Sequence, residues 1–115
     1  MSLVVTENPV PGVARIAINR PDKRNAISPD TRKELIDVLT NSLSDDAVKA
    51  VVMGSTKGHF CAGGDINSMV DLDVRSARVR MKENHRLVRV FAEAEKPIIA
   101  AVEGFAVGAG AGIAL

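Results

Sequence analysis

Two short apolar runs limit what this chain can fold into. Ala50-Val51-Val52-Met53 is rich in β-branched residues and closes at Gly54, and Ile98-Ile99-Ala100-Ala101-Val102 is apolar throughout. A strand that is apolar along its whole length needs cover on both faces, as in a buried parallel sheet. Each run leads into a glycine-rich loop, residues 58–66 after the first and 104–112 after the second. Glycine lets a backbone approach a ligand closely and permits φ > 0, so successive N–H groups can turn toward one point. Gly63-Gly64 taken alone reads more simply as a tight turn. The second glycine loop is what shifts that balance.

The rest of the chain supplies the partners such strands require. Leu3 to Thr6 reads as a short strand, Pro9, Pro11 and Gly12 as a turn, and Val13 to Ile18 as a strand apolar on one face and mixed on the other. Together they predict a hairpin. A polar loop follows from Asn19 to Ala26, in which Lys23 and Arg24 read by composition as solvated. Ser28-Pro29-Asp30 then opens a helix: Ser28 can cap it, Pro29 suits the first position, and Asp30 complements the positive end of the dipole. Its apolar stripe is Leu35, Val38, Leu39 and Leu43, ending near Asp45-Asp46. A second helix is expected over residues 74–94, with Ala77, Met81, Val88 and Phe91 as its packing stripe and a solvated basic remainder. His85 falls on that stripe and reads as a half-buried packing residue, with no partner for metal chemistry. Lys96-Pro97 ends this helix, and a last helix is expected to start near Gly110. Strands alternating with helices place the chain in the α/β class.

Bulk properties narrow the function classes. A length of 115 residues suits one domain, and a net charge of +1 gives no general pull toward nucleic acid or an anionic membrane. With no Trp, no Tyr and three Phe, there is little material for stacking bases. No nucleic-acid or membrane partner is therefore expected. The lone Cys61 excludes an internal disulfide and fits a reducing compartment, and neither a signal-peptide pattern nor a membrane-length apolar run occurs, so the reading is cytoplasmic. Residues 104–115 carry no charge and close on what reads as the start of a buried helix. The expectation is that residues 1–115 are the N-terminal portion of a single longer domain, truncated at its C-terminal end, and are not a stable monomer in isolation.

If the two apolar strands are neighbours, both glycine loops leave the same end of the sheet. Backbone N–H groups from both could then converge on one oxygen, the arrangement acyl chemistry needs, with each donor contributing roughly 3 kcal/mol toward a developing oxyanion. Other readings fail on spacing. Gly108-x-Gly110-x-Gly112 brings its third glycine one residue early for a dinucleotide fingerprint, and no acidic residue follows it. Neither a Gly-Lys-Ser/Thr phosphate loop nor a G-x-S-x-G elbow is present. Cys61 has no evident base nearby and reads as a small packed residue.

Three segments in this order resemble the crotonase, or enoyl-CoA hydratase/isomerase, superfamily. They are Asn19-Arg20-Pro21 with Asn25-Ala26-Ile27, then Phe60-Cys61-Ala62-Gly63-Gly64-Asp65-Ile66, then the run from Lys96 to Gly110. The resemblance implies a spiral of β-β-α turns, of which this chain holds only the N-terminal part, acting on an acyl-CoA thioester in fatty acid metabolism. It implies that the thioester carbonyl is held by the backbone N–H groups of Gly64 and Ala109. It also implies a coenzyme A site along Ala62, Gly63, Asp65 and Ile66, with Arg24 and Ala26 beside the nucleotide. No metal and no separate cofactor are implied, since coenzyme A is part of the substrate. The complete protein would be a homo-oligomer, a trimer or hexamer.

The sequence departs from the pattern at one position. Where hydratases of the founding type place a water-activating glutamate, this chain has Gly112. The resemblance therefore favours members that isomerise a double bond or a ring-modified acyl-CoA with a single carboxylate over two-glutamate hydratases. The alternatives are a non-catalytic acyl-CoA-binding fragment or relic, and a structural fragment whose glycines serve only packing.

Overall fold

A computed structural model describes residues 2–115. Four strands, β1 (Val4–Glu7), β2 (Val13–Ile18), β3 (Ala50–Met53) and β4 (Ile98–Ala100), form one sheet in the order β1-β2-β3-β4. β1 and β2 are the expected hairpin, antiparallel with Val4 opposite Ile18. β3 joins β2 in parallel and β4 joins β3 in parallel, with Val51 opposite Ile98. Parallel neighbours need a crossover, and helices supply it: α1 (Pro29–Ser44) between β2 and β3, α2 (Val74–Ala92) between β3 and β4, and a short α3 (Ala109–Ala114) after β4. Two 3₁₀ turns, Pro21–Lys23 and Ile66–Met69, punctuate the loops.

The signals at residues 28–30 act as expected. Ser28 caps α1 by accepting from the Thr31 N–H at 3.2 Å, with Pro29 in its first turn. α1 presents Leu35, Ile36 and Leu39 to Ala14, Ile16 and Ile18 of β2 and to Val51 and Met53 of β3, and this is where the buried core lies. On the opposite face of β2, Arg15 lies across Gly54 and donates to the Ser55 carbonyl at 3.1 Å.

Several expectations need correction. β1 runs one residue later than predicted, and β4 stops at Ala100 rather than Val102. Ala101 still donates to the Met53 carbonyl at 2.8 Å, after which the chain turns to follow Phe60 and Cys61 instead. α2 ends at Ala92, and its packing face is the predicted one only in part, since Ala77 and Phe91 are half-buried as expected. Leu87 is its buried residue, flanked by half-buried Val90 and Phe91, whereas Met81 (52%), His85 and Val88 (61%) lie exposed. α2 carries apolar residues on two sides, and contact with α1 selects the side holding Leu87. β4 is also not covered on both faces, since Ile99 is 55% exposed.

Candidate functional site

β3 and β4 are parallel neighbours, so both glycine loops leave the same end of the sheet. The first loop runs as a rail between two other segments. On one side the Phe60 N–H donates to the Glu103 carbonyl and the Cys61 N–H to that of Phe105, both at 2.8 Å, and the Val107 N–H returns to Cys61 at 3.1 Å. On the other side the Ala62 N–H donates to Arg24 at 3.1 Å, and Ile27 bonds Gly63 at 2.7 Å and Asp65 at 2.9 Å. A residue bracketed by two parallel-ladder bonds turns its own N–H away from that partner. Gly64 is so bracketed by Ile27, and no hydrogen bond among the described residues uses its N–H. The Ala109 N–H is equally unused, as expected for the first residue of a helix.

Gly64 and Ala109 line one cavity of about 290 Å³, with Arg32, Met69, Arg80, Asn84 and Leu87 on its other walls. The two loops could not approach so closely with larger residues. A Cβ on Gly110 would collide with the Cys61 carbonyl, and one on Gly63, whose φ is 98°, would sit 3.0 Å from the Val107 carbonyl oxygen. A Cβ on Gly112 would meet nothing within 4 Å.

Most of the remaining candidate residues share a second, more open cavity of about 490 Å³. Arg24, Ala26, Ala62, Asp65 and Ile66 line it with Lys23, and Gly64 belongs to both cavities. Arg24 is exposed in the left-handed region (φ 50°), and its guanidinium lies 5.4 Å from the centroid of the Phe105 ring, which stacks on His59. Ile66 is 78% exposed. Gly63 is on neither wall. It is buried, its carbonyl is taken by Ile27, and its N–H points at Cys61 Sγ at 3.4 Å.

Several residues that hold this arrangement went unrecognised as such in the sequence. Fully buried Asn25 accepts from the Arg20 N–H at 2.8 Å and donates to the carbonyls of Thr56 and His59, tying the polar loop to the first glycine loop. Arg20 reaches the Ala26 carbonyl at 2.8 Å and the Asp65 carboxylate at 3.1 Å, a largely buried pair. Asp65 thus positions the loop through a side chain already engaged by Arg20 and by the Asn67 N–H at 3.0 Å.

Two further arginines face the smaller cavity. Arg32 is only 3% exposed, and its Nε has no hydrogen-bond partner. Burial, and then the nearby Arg80 guanidinium, draw its pKa below the ordinary arginine range, with Glu83 acting in the opposite direction. Arg80 donates to Ser68 Oγ at 2.8 Å, and its Nη2 would lie 3.1 Å from a Cβ on Gly64. Arg32 did leave a trace in the sequence: with Leu35, Ile36 and Leu39 it forms a helical stripe, a charge set among apolar residues. Cys61 is fully buried, and burial raises its thiol pKa despite the opposing Gly63 N–H, so it stays a protonated packing residue. Among the described residues no group of His, Cys, Asp and Glu is disposed to hold a metal ion, and no helix is long and apolar enough to cross a membrane.

A mixed sheet, its parallel strands joined by crossover helices, thus brings two glycine loops together over one cavity. The chain belongs to the enoyl-CoA hydratase/isomerase family, whose sequence model matches residues 9–115. It is similar to crotonyl-CoA hydratase of Syntrophomonas wolfei and to short-chain-enoyl-CoA hydratase of Clostridium acetobutylicum, 38% identical to each over 104 residues. Both alignments cover 90% of this chain and 40% of the relative, so the chain spans about two fifths of the length of these proteins. Its fold matches the crystal structure of an enoyl-CoA hydratase from Bacillus anthracis with a TM-score of 0.91 at 23% identity, covering 98% of this chain and 44% of that one. The crotonase-type α/β fold is thereby shown for the described residues.

Proposed function

We propose that this chain forms the thioester-binding part of an enzyme acting on an acyl-CoA, in which the Gly64 and Ala109 N–H groups hold the carbonyl oxygen and stabilise an enolate. The observation that carries the reading is that two residues with unpaired backbone N–H groups, from loops at the same end of the sheet, line one cavity. Donors fixed by a hydrogen-bonded backbone need no reorganisation as negative charge develops, which is why such pairs are effective. The wider cavity along Arg24, Ala26, Ala62, Asp65 and Ile66 takes the coenzyme A portion, with Lys23 and Arg24 near its phosphates. Coenzyme A enters as part of the substrate, and no separate cofactor is required.

Within this family the reaction is closer to isomerisation of an enoyl-CoA than to two-glutamate hydration. Gly112 carries no side chain, and the space beside it is open, so no carboxylate reaches the site from there. The relatives named as hydratases make hydration the natural competitor. The experiment uses the intact polypeptide that contains these residues, assayed for isomerisation of a 3-enoyl-CoA and for hydration of crotonyl-CoA. Isomerisation should exceed hydration. Ala109→Pro removes one N–H at a helix position where proline is tolerated, and should lower turnover by about 10²–10³-fold. Hydration as the faster reaction would overturn the isomerase reading, and full activity in Ala109→Pro would overturn the carbonyl site. Specific binding of CoA esters without turnover of either would identify the chain as part of a non-catalytic acyl-CoA-binding protein.

A further inference from the structure

We propose that the smaller cavity selects acyl groups bearing a carboxylate, an inference that rests on the acyl-CoA reading above. Arg32 lines this cavity at 3% exposure with its Nε unpartnered, and among the described residues no carboxylate closes an ion pair with it. The acidic residues nearby are otherwise engaged. Glu83 pairs with Arg86 at 3.0 Å, and Asp65 pairs with Arg20. Arg80 stands on the same wall, next to Gly64, and brings a second positive charge. A guanidinium withdrawn from water without an ion pair of its own is costly, and two facing one space add repulsion that the field of Glu83 only partly offsets. An entering carboxylate removes both penalties at once, since its oxygens match the fork of guanidinium donors.

A purely hydrocarbon acyl chain would leave Arg32 buried and unpaired beside it. The phosphates of coenzyme A are a poorer explanation, because the other cavity, beyond Gly64, already offers Lys23 and Arg24. The cavity of about 290 Å³ has room for a short acyl chain ending in such a group. Arg32 is thus a specificity-determining residue for the acyl portion, and Arg80 reinforces it from the side of the carbonyl.

The test is calorimetric titration of the intact polypeptide containing these residues with glutaryl-CoA and with butyryl-CoA, which share the same coenzyme A portion. Glutaryl-CoA should bind at least tenfold more tightly. Arg32→Met should abolish that preference, and Arg32→Lys, which keeps the charge without the fork, should retain part of it. Equal binding of the two esters, tighter binding of butyryl-CoA, or an undiminished preference in Arg32→Met would overturn the inference and leave the acyl-CoA reading standing. Failure of both esters to bind would overturn the acyl-CoA reading itself. Should Arg32→Met not fold, the wild-type preference and the Arg32→Lys titration decide the matter.

Discussion

Arg32 shows how a single residue can work against its own surroundings. It occupies a position on the inward stripe of α1 where Leu35, Ile36 and Leu39 make the rest of the core. An apolar residue of similar length would satisfy that stripe without an orphaned buried donor. The expected outcome is that Arg32→Met stabilises the unliganded protein by about 1–3 kcal/mol, the usual penalty of a buried polar group lacking a partner. Urea titration of the intact protein measures this as a rise in midpoint at unchanged slope. A lowered midpoint would mean that the guanidinium makes net favourable interactions with the empty site. Asn25 works in the opposite sense. Its side chain bonds three loop backbone groups and accepts from the Thr56 hydroxyl, so it holds the polar loop in a left-handed turn (φ 59°) that few side chains adopt.

At the scale of elements, α2 is fixed at its start by a reciprocal cap. Asp73 accepts from the Ser76 N–H at 2.7 Å, and Ser76 Oγ accepts from the Asp73 N–H at 2.9 Å. These bonds favour the ionised carboxylate and hold its pKa below the ordinary 3.8. A lowered folded pKa means the cap contributes fully above the unfolded value and is lost as pH falls through the folded one. Asp73→Ala should therefore lower the urea midpoint at neutral pH, and the gap from wild type should close in acid below that ordinary value. A gap that persists unchanged there would show that the carboxylate charge is not the source. The same helix shows where sequence reading stops. The start of α1 was legible because Ser28, Pro29 and Asp30 are local signals, and the glycine loops were legible because their spacing is local too. The inward face of α2 was legible only in part, since Met81 with Val88 and Leu87 with Val90 offer rival stripes. Only the contact with α1 chooses between them. The meeting of Arg32 with Arg80 depends on that same contact and was hidden for the same reason. β4 fell short of Val102 because the chain exchanges one partner, Met53, for another, Phe60, which no periodicity records.

At the scale of the molecule, apolar surface is left open around the end of the sheet that carries the site. Ile99 (55%), Val102 (46%), Phe105 (44%) and Val107 (53%) are all exposed, and so are Met81 and Val88 on α2. Exposed large apolar groups in this number favour association. Expressed by themselves, residues 1–115 should self-associate rather than form a stable monomer, as sedimentation velocity will read directly. A monodisperse monomer with strongly protected amides in β3 and β4 would refute this. The strand order carries a different consequence. Each strand lies beside the one that precedes it in the chain, so every segment leaving the ribosome meets a sheet edge that is already built. Assembly can run in step with synthesis from β1 onward. The two glycine loops come together only when β4 docks, so the candidate site can form only after the first three strands have paired.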